Sequence, residues 1–163
     1  MDAQEIYQKL EQAVPDGLIE FQAEQTKNPT ALVKPEAVYE ILKTLKTDPE
    51  LDFDFLECIS GFDLGADQSL GIIYHLYSYK KGHAFAVKAL LDRAQPEVPS
   101  VTDLYRTADW HEREAYDMFG IRFKGHPDLR RILLEDDWEG YPLRKDYVPA
   151  ETYRGMKIVK DQN

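Results

Sequence analysis

Apolar positions recur along this chain in two periods, and each change of period marks a new element. Over residues 2–13, Ile6, Leu10 and Val14 recur every four residues with Tyr7 beside them, one face of a helix. Asp2 stands at the N-cap position and Glu5 follows three residues on, which predicts a capping box. Pro15, Asp16 and Gly17 end the helix in a turn. From Leu18 to Gln25 the period drops to two: Leu18, Glu20 and Gln22 oppose Ile19, Phe21 and Ala23, as in a strand. Lys27, Asn28 and Pro29 predict a turn, and Ala31 to Val33 a short second strand. Pro35 suits the first position of a second helix, whose apolar face is Val38, Ile41, Leu42 and Leu45 and which closes at Asp48-Pro49.

Residues 53–64 and 70–79 read as two strands joined by a hairpin turn at Gly65, Ala66 and Asp67. In the second, Ile73, His75 and Tyr77 share one face and Ile72, Tyr74 and Leu76 the other. Residues 83–91 fit both periods, and a strand with a helical end is the favoured reading. Ser100 and Asp103 predict a capping box for a third helix, interrupted by a break, that runs to Phe119 with Gly120 as its C-terminal cap. Leu104, Ala108, His111, Ala115 and Met118 form its inner stripe; Asp109, Glu112, Arg113 and Asp117 crowd another face. Beyond Gly120 no periodic run is left, and Pro127, Gly140, Pro142 and Pro149 suggest an extended arm. This order predicts an α+β fold: a small mixed or antiparallel sheet with helices packed on it, then a C-terminal helix and an extended arm. The chain divides into a core at 1–100, a helix and arm of the same domain at 101–149, and a polar, mobile tail at 150–163.

Composition narrows the function. A net charge of −10 disfavours nucleic acid or anionic lipid as the main partner. The single cysteine, Cys58, makes no intrachain disulfide and cannot alone ligate a cluster or a structural zinc; a buried, inert thiol in a reducing compartment is expected. No apolar run reaches the ~18 residues of a membrane span, and the acidic start lacks a signal peptide's pattern. The choice of base changes along the chain. The first hundred residues hold eight lysines and one arginine, Arg93; the remainder holds seven arginines and four lysines. Arginine is the base suited to buried and interfacial ion pairs.

Residues 110–147 concentrate that change, with both tryptophans and five arginines among acids and aromatics. The mixture suits a docking surface buried in a larger assembly. His111 and Glu114 are three apart and with His126 could share a metal, but the second histidine of a metalloprotease helix is missing at Ala115. His111 packed on the inner stripe is the better reading. Glu112 and Glu114 point in different directions on a helix, Arg113 is spaced to pair with Asp117, and His126-Pro127 after Gly125 reads as a tight turn. There is no phosphate-binding loop, dinucleotide fingerprint or nucleophile elbow. The residues alone describe a binding or scaffold subunit.

Glu112-Arg113-Glu114-Ala115-Tyr116-Asp117-Met118-Phe119-Gly120-Ile121 and Gly125-His126-Pro127-Asp128-Leu129-Arg130-Arg131-Ile132-Leu133, extended by Trp138, Gly140 and Pro142-Leu143-Arg144-Lys145-Asp146-Tyr147, carry a resemblance. They resemble the C, or thirty-kilodalton, subunit of respiratory complex I, the proton-pumping NADH:quinone oxidoreductase, known as the J subunit in chloroplast and cyanobacterial relatives. The resemblance implies a peripheral, non-catalytic subunit on the cytoplasmic face of the inner membrane, reaching the membrane only through the complex. It implies no cofactor on this chain, with FMN and iron–sulfur clusters in partner subunits. The arm would dock on the forty-nine-kilodalton D subunit, near the B and I iron–sulfur subunits. The residues expected to bind partners are Glu112, Arg113, Glu114, Asp117, Phe119, His126, Pro127, Arg130, Arg131, Trp138, Pro142, Arg144, Lys145 and Tyr147, with no catalytic or metal-binding residue. The alternatives are the homologous subunit of a membrane-bound hydrogenase or of a ferredoxin- or F420-dependent complex, and a free-standing metal hydrolase using His111, Glu114 and His126.

Overall fold

The computed structural model describes residues 1–23 and 28–157. Helix α1 (Ala3–Ala13) begins with the expected capping box: the Asp2 carboxylate accepts the Glu5 N–H, and the Glu5 carboxylate accepts the Asp2 N–H, both at 2.8 Å. Strand β1 (Leu18–Gln22) pairs antiparallel with β2 (Thr30–Val33). The strand expected to reach Gln25, and the turn at Lys27, run into residues outside those described. Pro35 opens a 3-10 turn that leads into α2 (Val38–Thr47), which buries Val38, Ile41, Leu42 and Leu45 as its spacing requires.

Strands β3 (Phe55–Asp63), β4 (Leu70–Ser78) and β5 (His83–Leu91) complete a five-stranded sheet of order β1-β2-β5-β4-β3. All neighbours are antiparallel except β2 and β5, so the sheet is mixed. β5 is strand throughout; its alternation decides the ambiguous segment, and no helical end forms. Ile72, Tyr74 and Leu76 are buried while Ile73, His75 and Tyr77 are half-buried, as the alternation predicted. Phe21 and Phe53 pack on Phe85 of the same face, each with ring centroids 6.3 Å away, and bring α1 and α2 onto it. Each large apolar side chain buried there contributes about 1.5–3 kcal/mol.

Cys58 departs from expectation. The β3–β4 register shifts between Leu56 and Cys58, which leaves the thiol half-buried opposite His75, while Leu56 and Ile59 keep the core side. A bulge reverses the side-chain alternation beyond it.

After β6 (Glu97–Pro99) the chain turns through 101–107 into α3 (Ala108–Phe119), and β7 (Arg122–Lys124) pairs parallel with β6. No capping box forms at Ser100, because α3 starts only at Ala108; the Ser100 hydroxyl donates to Glu112. α3 lies against β3, and a side chain on Gly61 would collide with Phe119. From Gly125 to Ala150 the chain is a series of turns. Part of the expected mobile tail is ordered: β8 (Thr152–Tyr153) and β9 (Met156–Lys157) form a hairpin, and residues 158–163 lie outside those described. Among the described residues no helix is long and apolar enough to cross a membrane.

Candidate partner-docking site

α3 buries Ala108, Ala115 and Met118 of the stripe its sequence suggested, but not His111. Its buried residues are Ala108, Glu112, Ala115, Asp117, Met118 and Phe119, whereas His111 is half-buried. Glu112 replaces His111 inside because its carboxylate finds partners upstream: Oε2 accepts the Ser100 hydroxyl at 2.7 Å and Oε1 accepts the Val101 N–H at 2.8 Å. Burial pushes its pKa up to about 7; the bonds from Val101 and Ser100 oppose that rise, and Asp109 and Asp103 add to it.

Asp117 is the anchor of the arm. Its Oδ2 accepts three successive backbone N–H groups, from Ile132 at 3.0 Å, Leu133 at 2.7 Å and Leu134 at 2.9 Å. Its Oδ1 accepts Nη1 of Arg131 at 2.6 Å. Burial raises the pKa of this carboxyl, but the Leu134, Arg131, Leu133 and Ile132 donors outweigh it and hold Asp117 below the usual carboxylate range. Arg131 also donates Nη2 to the carbonyls of Trp138 and Gly140, both at 3.0 Å, so one guanidinium closes the loop that Asp117 begins. The expected Arg113–Asp117 pair does not form, since Arg113 donates to the carbonyls of Arg130 and Arg131 at 3.2 Å.

The arm then returns to the end of α3. Gly120 caps the helix at φ 71°, and its N–H donates to the Tyr116 carbonyl. Arg144 Nε donates to the Phe119 carbonyl at 2.6 Å and stacks on Tyr141, 4.9 Å from its centroid. A Cβ on Gly120 would strike Tyr141 and Arg144. The Lys145 N–H donates to Asp63 at 2.8 Å, and Arg93 ties Asp63 to Asp146. Further on, Arg154 and Tyr153 hold Asp137, and Trp138 lies 5.2 Å from the Tyr153 ring. A cavity of about 250 Å³ lies among Trp138, Tyr147 and Tyr153, and the Trp138 indole N–H is buried without an acceptor among the described residues.

These contacts divide the expected partner-binding residues. Glu112 and Asp117 are wholly buried and use their carboxylates inside the chain, so neither is free to touch a partner. Phe119 packs in the core, the His126 ring is buried, and Arg131 and Arg144 hold the arm to α3. Pro142 and Tyr147 are half-buried along the arm. Glu114, Pro127, Arg130 and Lys145 are exposed; Arg130 bonds to Asp128, and Glu114 has no hydrogen-bond or ion-pair partner among the described residues. Among the described residues, Trp110, Leu133, Leu143, Val148 and Met156 are five of the eleven exposed large hydrophobic residues, and all lie on α3, the arm or the terminal hairpin. Asp63 and Tyr141 had no warning in the sequence and Ser100 read only as a cap, whereas Arg93 stood out as the lone arginine of its half. Among the described residues no group of His, Cys, Asp or Glu is placed to hold a metal, which removes the hydrolase reading's ligand set.

The model of the respiratory-chain NADH dehydrogenase 30 Kd subunit family matches residues 31–153. The C subunit of the NADH-quinone oxidoreductase of Chlorobium phaeobacteroides is 42% identical over 153 residues, covering 93% of this chain and 92% of that one. Its counterpart in Chloroherpeton thalassium is 51% identical over 117 residues, covering 70% of this chain but 48% of that one, so the match spans about half of that relative's length. Among solved structures, a trypsin-resistant fragment of Nqo5 superposes with a TM-score of 0.64 at 32% identity, covering 76% of this chain and 98% of the fragment. A chain of the membrane-bound sulfane sulfur reductase, an archaeal respiratory membrane complex, gives a TM-score of 0.73 at 25% identity, covering 89% of this chain and 85% of that one. The α+β core, the anchored arm and these matches lead to one conclusion: the chain belongs to the respiratory-chain NADH dehydrogenase 30 Kd subunit family, which is the family of the C subunit of complex I.

Proposed function

We propose that this chain is a non-catalytic peripheral subunit of an NADH:quinone oxidoreductase, and that the outer surface of α3 and the arm docks on the D subunit, near the B and I iron–sulfur subunits. In this reading FMN and the clusters reside in those partners, the chain itself binds no cofactor, and the assembly sits at the cytoplasmic face of the inner membrane. The observation that carries it is the pairing of a rigidly held arm with an apolar outer surface. Asp117 and Arg131 fix the backbone of the arm, which exposes Leu133, Leu143 and Val148, while Trp110 stands exposed on α3 and Met156 on the terminal hairpin. An exposed apolar series on a preorganised segment is the usual mark of an interface. Glu114, Arg130 and Lys145 supply a polar rim.

The test is recovery of a tagged full chain from mild-detergent membranes, with co-purifying proteins identified by mass. The wild type should bring down the D subunit together with flavin- and cluster-bearing subunits. The double variant Leu133→Asp, Leu143→Asp should lose them while its unfolding midpoint stays within a few degrees of wild type. Recovery of the wild-type chain alone would refute the docking.

A second reading has its own observation, the likeness to a chain of an archaeal respiratory complex of a different activity. The chain would then serve a membrane-bound hydrogenase or a ferredoxin- or F420-dependent complex. The relatives at 42% and 51% identity favour the first reading. An NADH-oxidising flavoprotein among the recovered partners selects the first, and a hydrogenase-type catalytic subunit selects the second.

A further inference from the structure

Glu112 is a carboxylic acid sealed inside the chain, and among the described residues no lysine or arginine pairs with it. The nearest basic group is His126, whose Nε2 lies 4.0 Å from Oε2 and whose side chain is equally sealed. The Asp128 N–H donates to His126 Nδ1 at 3.0 Å, which puts the proton of the neutral ring on Nε2. That nitrogen is 3.3 Å from the Asp109 carbonyl and 3.4 Å from Asp109 Oδ1, an oxygen otherwise buried without a hydrogen bond. On the other side, Oε2 accepts from Ser100 Oγ at 2.7 Å, and Ser100 Oγ is 3.0 Å from Thr102 Oγ1. Thr102 lines a surface cleft of about 560 Å³ together with Asp103, Arg106 and Asp109. A chain of two hydroxyls thus joins a buried carboxyl to solvent.

We propose that Glu112 is a buried proton-binding site beside His126, filled through the Ser100–Thr102 hydroxyl relay, whose occupancy sets how firmly the loops at 99–101 and 125–128 are held to α3. With its proton, Glu112 is a neutral carboxylic acid beside the buried His126 ring. Removing that proton leaves a buried carboxylate, and the other groups facing it are Asp109 from α3, Asp103 from the preceding loop and the Tyr74 hydroxyl from β4. Two of these are acids and none is a cation, so the deprotonated site is disfavoured. The direction of the Glu112 pKa agrees, since burial raises it first and Asp109 and Asp103 add to the rise.

Proton uptake converts Oε2 from acceptor to donor. The Ser100 hydroxyl then turns to accept from Glu112 and donate to Thr102, and nothing but the proton is gained. Because the Ser100 N–H donates to the Lys124 carbonyl at 2.8 Å, the change reaches both loops together. The site is internal to the chain and stands whether or not the arm docks as proposed.

The experiment is a carbon-13 titration of glutamate side-chain carboxyls in the full chain, with Glu112 assigned by its loss in Glu112→Gln. The expected result is a midpoint within one pH unit of 7, with the amides of Ser100, Val101 and Asp128 shifting at the same midpoint. If Glu112→Gln does not fold, the carboxyl is assigned in wild type through its α3 backbone resonances, and the same midpoint decides. A midpoint in the ordinary range near 4.5 would overturn the site. Loop amides indifferent to it would overturn the coupling.

Discussion

Replacing Asp117 by asparagine should loosen the arm while α3 stays in place. The carboxylate accepts three backbone N–H groups on one oxygen and Arg131 on the other, and it is wholly buried. Asparagine keeps the shape but offers one oxygen. Its NH₂ must then face either the Arg131 guanidinium or the N–H groups of residues 132–134, donor against donor. A buried donor without an acceptor costs about 1–3 kcal/mol, and a buried ion pair that loses one partner costs about 3–5 kcal/mol. Ile132 and Leu134 are half-buried and Leu133 is exposed, so water replaces part of the loss. The expected destabilisation is therefore about 2–4 kcal/mol. Urea unfolding of the full chain measures it, and hydrogen exchange at residues 132–134 shows that the arm is where it falls. Glu114→Gln is the matched control, an exposed acid without a partner among the described residues, and should stay within about 0.5 kcal/mol of wild type. The pH dependence has a definite sign. The folded pKa lies below the ordinary 3.8, so the clamp's contribution is complete above 3.8 and is lost as pH falls through the folded value. Asp117→Asn as stable as the control would refute the anchoring role.

Gly120→Ala should destabilise by more than the ~1 kcal/mol of a left-handed alanine, because Tyr141 and Arg144 occupy the space its Cβ needs. Gly82→Ala, at a similar φ of 67° with open space around it, should show only the conformational part when the two thermal melts are compared. Arg93→Ala removes the guanidinium that joins Asp63 to Asp146, and should cost about 2–3 kcal/mol and speed hydrogen exchange at residues 143–147. Glu112→Gln should flatten the pH–stability curve. A folded pKa raised from 4.5 to about 7 means stability complete below 4.5 and lost as pH rises through 7. The variant should thus gain on wild type by roughly 3 kcal/mol at pH 8, and by little at pH 4.5, in urea unfolding at the two pH values.

The regular elements were legible where one residue type settles local geometry. The Asp2–Glu5 box starts α1, Pro35 opens the turn into α2, Gly120 ends α3, and the alternation of β4 places Tyr74 inside. The reading failed where a polar group is satisfied by residues far along the chain. Ser100 has the pattern of a cap, but its hydroxyl serves Glu112. Periodicity put His111 inside and Glu112 outside, because hydrophobic patterning has no means of seeing that Ser100 and Val101 wait for a carboxylate. Asp117 read as a surface acid, since its three backbone donors leave no trace in side-chain identity. The terminal hairpin was missed because Arg154-Gly155, the two-residue turn with φ of 48° and 79°, sits in a polar segment with no apolar alternation. Cys58 was misplaced by a single bulge. The concentration of arginines and aromatics in the segment was legible; its internal clamps were not.

The central claim is that the arm is held rigid from within so that its outer side chains meet a partner. Hydroxyl-radical footprinting of the full chain, free and in its membrane complex, tests this at side-chain level. Labelling of Trp110, Leu133, Leu143 and Met156 should fall several-fold on assembly, while Ile19 and Tyr79, exposed elsewhere on the fold, serve as the reference. Equal labelling of those four residues in the free and assembled chain would contradict the account.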